Sequence, residues 1–145
     1  MAREFDLFKG VSKKFMGEVN KIMKKETCEK GTVLFKTGDP AKDFFILQEG
    51  RISICAEDRG HAVSFIRTPG EFFGWSCLLD RTCYSASAES VVPSTVLKIA
   101  KDKLCTIIQK DPANGLIFYK NFAVIIGGRF IESQQVKDWF PSVEI

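Results

Sequence analysis

The sequence is poor in the residues that build metal centres and catalytic sets. Its 145 residues hold one histidine, His61. A lone His beside a turn is more often a surface residue than a haem or metal ligand. The five cysteines, Cys28, Cys55, Cys77, Cys83 and Cys105, are scattered and odd in number, with no Cys-x-x-Cys pair. That argues against zinc and iron–sulfur ligation and for a reduced, cytoplasmic chain. A Ser/His/Asp set, a paired-carboxylate motif on strands and a P-loop are all missing, so the sequence predicts a non-enzyme with no catalytic residues and no metal. Long apolar runs are missing too, which predicts no membrane span. The start MAREFDLFKG lacks the apolar centre of a secretion signal.

Charge is also scarce. The formal net charge is +3, too small to argue for direct nucleic-acid binding. It is uneven: residues 1–36 carry nine Lys/Arg against five Asp/Glu, with the excess at Lys13, Lys14, Lys21, Lys24 and Lys25. The plain reading is a solvated helix face; the sharper one is a docking face for a separate, acidic protein partner.

What is plentiful is apolar. Hydrophobic residues make up 45% and Phe alone numbers 13, which requires a packed core. The length suits a single domain, 1–145. FMGEVNKIM sets Phe15, Met16, Val19, Ile22 and Met23 at helical spacing, with Ser12 as its N-cap and an end before Gly31. From there the pattern turns to short strands. VLF is followed by the turn TGDPAKD, then the buried strand FFIL. Gly50 breaks it, and RISICAE places Ile52, Ile54 and Ala56 on one face. DRG predicts a hairpin turn to AVSFIRT, and SASAES and STVLKIA follow as further strands. Short strands at close intervals predict an antiparallel sandwich or barrel, here about residues 27–100.

Two C-terminal helices, about residues 101–137, complete the chain. KDKLCTIIQK puts Leu104, Ile107 and Ile108 on one side. Asp111 and Pro112 read as N-cap and first residue of the second helix. That helix is predicted to reach Lys137, roughly 39 Å at 1.5 Å per residue. Leu116, Tyr119, Ala123, Ile126 and Phe130 follow three- and four-residue steps, and neighbours widen the stripe past one face. A helix so apolar needs cover on both sides, which predicts a homodimer through it. Gly127 and Gly128 inside it read as close helix packing, or as a hinge.

This order resembles the cyclic nucleotide-binding domain of Crp/Fnr-type regulators, protein kinase A regulatory subunits and gated channels. The resemblance covers about Phe5 to Gln135. VLFKTGDPAKDFFILQEGRISI matches the family's first signature at Gly38, Asp39, Phe44 to Leu47 and Gly50. FGWSCLLDRTCYSASAES, residues 73–90, matches its phosphate-binding cassette. The resemblance implies a double-stranded β-helix, or jelly roll, mainly β with an N-terminal helix and two C-terminal helices, the last a long dimerisation helix. It also implies a ligand site at Gly74, Trp75, Ser76, Cys77, Arg81, Tyr84, Ser85, Ala86 and Ser87. The DNA-binding domain that often follows in the family is not expected within these 145 residues, whether the domain stands alone or belongs to a longer chain.

The cassette departs from the family at both charged positions. Trp75 stands where the family has the Glu that accepts from the ribose hydroxyl. Tyr84 stands where it has the Arg that pairs with the cyclic phosphate. Taking Arg81 as that Arg would shorten the loop to two residues and misplace Cys83 and Ser85, so Tyr84 stays in register. Losing two charge-assisted contacts costs about 3–6 kcal/mol. Cyclic nucleotide binding is therefore weakened. Ser76, Ser85, Ser87 and an inward-folded Arg81 are the remaining anion partners, and two aromatic walls suit a flat, apolar molecule. The expected function is a sensory module that binds a small molecule, a nucleotide or an altered ligand, and signals through its last helix. The alternative is an interaction domain whose pocket Trp75 and Tyr84 fill. Cys77 and Cys83, in or beside the pocket, read as small hydrophobes before redox sites.

Overall fold

The computed structural model describes residues 5–56 and 62–132. The predicted DRG turn and the stretch to Lys137 lie outside the described residues. Eight strands and three α-helices follow one another: α1 (Lys13–Ile22), β1 (Lys24–Cys28), β2 (Val33–Phe35), β3 (Asp43–Glu49), β4 (Ile52–Cys55), β5 (Ala62–Ile66), β6 (Phe72–Phe73), β7 (Ser87–Ser90), β8 (Ser94–Ala100), α2 (Lys101–Lys110) and α3 (Pro112–Glu132). The strands form two antiparallel four-stranded sheets, β1-β8-β3-β6 and β2-β7-β4-β5. This is the antiparallel β architecture that the strand pattern predicts and the jelly roll with flanking helices that the resemblance implies.

Local chemistry explains the boundaries. Ser12 caps α1, its hydroxyl accepting from the Phe15 amide at 3.1 Å. The helix stops at Ile22, well before Gly31, and β1 begins two residues later. Lys24 and Lys25 therefore lie on a strand, not on the helix face. Among the described residues β1 pairs only with β8, which makes it a sheet edge, and an edge tolerates KKETC because its charges discourage further strands. FFIL is buried in the middle of β3. Gly50 follows β3 at φ +105°, and a Cβ there would overlap the Ser94 side chain.

The core holds Phe44, Ile46, Leu47, Ile52, Phe72, Val96 and Ile99, all at most 1% exposed. The C-terminal helices seal one end of it. Asp111 caps α3, its carboxylate accepting from the Asn114 amide at 3.3 Å. Gly115, Phe118 and Phe122 turn inward, and Phe118 packs on Phe8 and Phe44. Two polar clamps hold α3 to the N-terminal segment. Asn114 bonds Ser12, and Asn121 donates to the carbonyls of Leu7 and Lys9 at 3.1 and 2.8 Å.

The opposite side of α3 is apolar and uncovered. Leu116, Val124 and Phe130 are 71%, 65% and 57% exposed. Of the predicted stripe, Leu116, Ala123 and Phe130 are exposed, while Tyr119 and Ile126 are half-buried. Gly127 and Gly128 would each meet nothing within 4 Å if given a Cβ, so packing within this chain does not require them.

Candidate functional site

The cassette is hung from two strands. Phe72 and Phe73 pair with Ile46 and Phe45 of β3. Gly74 then turns at φ +71°, with the rings of Phe35 and Phe45 3.0 and 3.1 Å from where a Cβ would sit. Trp75–Leu79 wind into a short 3-10 helix that Asp80 ends in a left-handed conformation, φ 58°. The Asp80 carboxylate accepts from Lys101 of α2 at 3.0 Å.

The return half of the cassette is zipped to the turn before β3. Ala41 donates to the Thr82 carbonyl and Gly38 to that of Tyr84, both at 2.9 Å. Tyr84 in turn donates to the Asp39 carbonyl at 3.0 Å. The TGDPAKD turn thus supplies the second edge on which the cassette lies.

Both aromatic replacements are engaged in packing. Tyr84 is buried, its ring stacked on Phe35 at 3.9 Å and 15°. Its hydroxyl donates to the Asp43 carbonyl at 2.6 Å. Burial pushes its phenol up to about 12, so it is a neutral wall. Trp75 is half-buried and meets Phe122 of α3 edge to face, centroids 5.8 Å apart. It therefore joins the cassette to the helix.

The pocket is narrowed and not closed. A cavity of about 250 Å³ remains inside the roll. Phe35, Phe73 and Tyr84 form its aromatic wall, and Ile54 and Ile66 form its aliphatic one. Gly74, Trp75 and Ser76 line it from one half of the cassette, and Ser85 and Ala86 from the other. Ser64 and, from α3, Arg129 complete the lining.

The remaining cassette residues named from the sequence sit elsewhere. Arg81 is exposed and does not line the cavity. Ser87 accepts from the Thr37 amide at 3.0 Å, outside the cavity lining. Cys77 is fully buried, and burial raises its thiol to about 11, which makes it a poor thiolate. Cys83 is exposed. Among the described residues no His/Cys/Asp/Glu group could hold a metal ion, and no helix is long and apolar enough to cross a membrane.

Arg129 is the residue that sequence reasoning missed. α3 contains only Lys120, Arg129 and Glu132 as charged residues. One Arg in the late, apolar part of such a helix is the signal that could have found it. Its guanidinium lies 4.8 Å from the Phe72 ring centroid and donates to the Phe72 carbonyl at 3.2 Å.

The fold and this cassette together point to one class of domain. The sequence matches the model of the cyclic nucleotide-binding domain over residues 25–111, more than half of the chain. The chain belongs to the cyclic nucleotide-binding domain family. It is 25% identical over 115 residues to a protein from Rhodopseudomonas palustris that bears the name of a potassium channel, covering 78% of this chain and 27% of that protein. The chain thus spans about a quarter of that relative's length. Among solved structures it is similar to one from Geobacter metallireducens named for cyclic nucleotide binding, with TM-score 0.77 and 23% identity, over 87% of this chain and 92% of that one. It is also similar to the catabolite activator protein of Thermus thermophilus, with TM-score 0.76 and 22% identity, over 94% of this chain and 63% of that one.

Proposed function

We propose that this chain is a regulatory module that binds a small ligand in the β-roll cavity and signals through α3. One observation carries the reading: the cavity wall is shared between the cassette and α3, which contributes Arg129. An occupant therefore touches the signalling helix itself. It can favour one helix arrangement over another, as a ligand must to shift a population. Ordinary cyclic AMP recognition is disfavoured, because Trp75 and Tyr84 replace the ribose and phosphate partners and Tyr84 is already bonded to Asp43. At about 250 Å³ the cavity falls below the roughly 300–1,000 Å³ typical of sites for drug-sized ligands. The output is a homodimer through the uncovered face of α3.

A second reading is favoured by the packing of the two aromatics: an interaction module that needs no ligand. Thermal melting against cyclic AMP, cyclic GMP, cyclic dinucleotides and small aromatic acids separates the two. A raised Tm with any of them supports the sensor. No shift, together with no co-purified small molecule by mass spectrometry, leaves the interaction module.

A further inference from the structure

The charge of the cavity is decided by one residue. Among the described lining residues Arg129 alone is ionisable at neutral pH, and no carboxylate lines the cavity with it. Arg129 is half-buried, and no carboxylate of the described residues lies within ion-pair distance of it. Burial lowers its pKa, with the nearby Glu71 charge acting in the opposite direction. One Glu71 carboxylate oxygen accepts from the amides of Arg67 and Thr68 at 3.2 and 2.7 Å; Glu71 and Asp6 border Arg129 only in a neighbouring surface pocket, outside this cavity. A guanidinium has five N–H donors, and one of them meets the Phe72 carbonyl. The backbone amides of Ser85 and Ala86, which also line the cavity, have no acceptor among the described residues. One positive charge and the unpaired amides of Ser85 and Ala86 thus border a space otherwise walled by Phe35, Phe73, Tyr84 and Trp75.

We propose that Arg129 is the anion-binding residue of this cavity, and that the ligand is a small aromatic oxyanion: one ring bearing a single carboxylate or phosphate. This rests on the reading of the cavity as a ligand site and names its ligand class. The cation that the resemblance places on the cassette comes instead from α3. One guanidinium fork matches the geometry of one oxyanion group. The volume suits one ring better than a nucleotide, and the aromatic walls suit a flat body. The oxyanion draws the guanidinium away from the Phe72 carbonyl, because a charge-assisted pair outcompetes a bond to a neutral acceptor. Binding then loosens the tie between α3 and β6. Gly127 and Gly128 precede Arg129, and a Cβ on either would meet nothing within 4 Å, so no side chain at these two positions braces the turn that carries it.

The test is calorimetry on the full chain with benzoate, phenyl phosphate and neutral benzamide, repeated on Arg129→Gln and Arg129→Lys. Circular dichroism and the melting curve confirm that each variant is folded. The expected result is binding of benzoate or phenyl phosphate, with benzamide at least about tenfold weaker. Arg129→Gln should weaken the preferred anion by about ten- to a hundredfold and benzamide by much less, while Arg129→Lys retains part of the affinity. The stronger of the two anions identifies carboxylate or phosphate as the headgroup. If benzamide binds as well as the anions, or if Arg129→Gln keeps their affinity, the charge assignment is overturned and the cavity reading survives. If none of these probes and no nucleotide binds, both fall together.

Discussion

The Tyr84 hydroxyl donates to the Asp43 carbonyl at 2.6 Å, joining residues 41 apart in the sequence. That bond fixes the cassette to β3 at the position where the resemblance calls for a phosphate-binding Arg. A side chain that could have faced a ligand is instead a strut between two structural elements.

The strut and its neighbour Cys77 make stability depend on alkaline pH. Unfolded, the phenol and thiol titrate near 10.0 and 9.0; folded, they are held at about 12 and 11. As pH rises past about 9, the unfolded chain sheds these protons first. Their contribution is whole below about pH 9 and falls steadily towards pH 12. Urea unfolding at several pH values should show this decline. In Tyr84→Phe it should be shallower, although that variant loses about 0.5–1.5 kcal/mol at neutral pH with its hydrogen bond. An equal slope in both proteins would rule out Tyr84 as a source of the decline.

Restoring the family's charges should restore its ligand. Trp75→Glu combined with Tyr84→Arg is expected to bind cyclic AMP measurably by calorimetry, where the parent binds little. The variant also gives up the Phe35 stack, the Asp43 bond and the Phe122 contact. It should unfold at lower urea, at a cost of about 1–3 kcal/mol. Absence of heat from a folded double variant would mean that the cassette backbone is not set for a cyclic phosphate.

Gly74 is the hinge point between β6 and the cassette helix. Gly74→Ala should destabilise the fold by about 1–3 kcal/mol, because φ is +71° and the rings of Phe35 and Phe45 crowd the new methyl. A variant as stable as the parent in urea would show that this turn can adopt another conformation.

The uncovered face of α3 should bind a second copy. Leu116→Glu with Phe130→Glu places charges on residues that are 71% and 57% exposed, so each protomer should stay folded. Light scattering at micromolar concentration should give a dimer for the parent and a monomer for the variant. A monomeric parent removes the dimer.

The fold was largely legible, and for plain reasons. The turn TGDPAKD, the apolar FFIL and Gly50 are local signals, and Asp111-Pro112 marks a helix start in any context. β1 was not legible. KKETC lacks apolar alternation, and only its pairing with β8 makes it a strand. The site was half legible. Gly74, Trp75, Ser76, Tyr84, Ser85 and Ala86 do line one cavity. Arg129 lies 45 residues beyond Tyr84 on another element, and no spacing rule connects them.

The sequence by itself determined the short strands and their turns, the helix starts at Ser12 and Asp111 and the loss of both cassette charges, because each depends on residues close together in the chain. Only the tertiary structure decided what replaced those charges. It turned Tyr84 onto Asp43, set Trp75 against Phe122, left Arg81 in solvent and brought Arg129 to the cavity. Those outcomes follow from how the cassette lies on β3 and how α3 docks against the roll, and docking is a property of surfaces that meet only once the chain has folded.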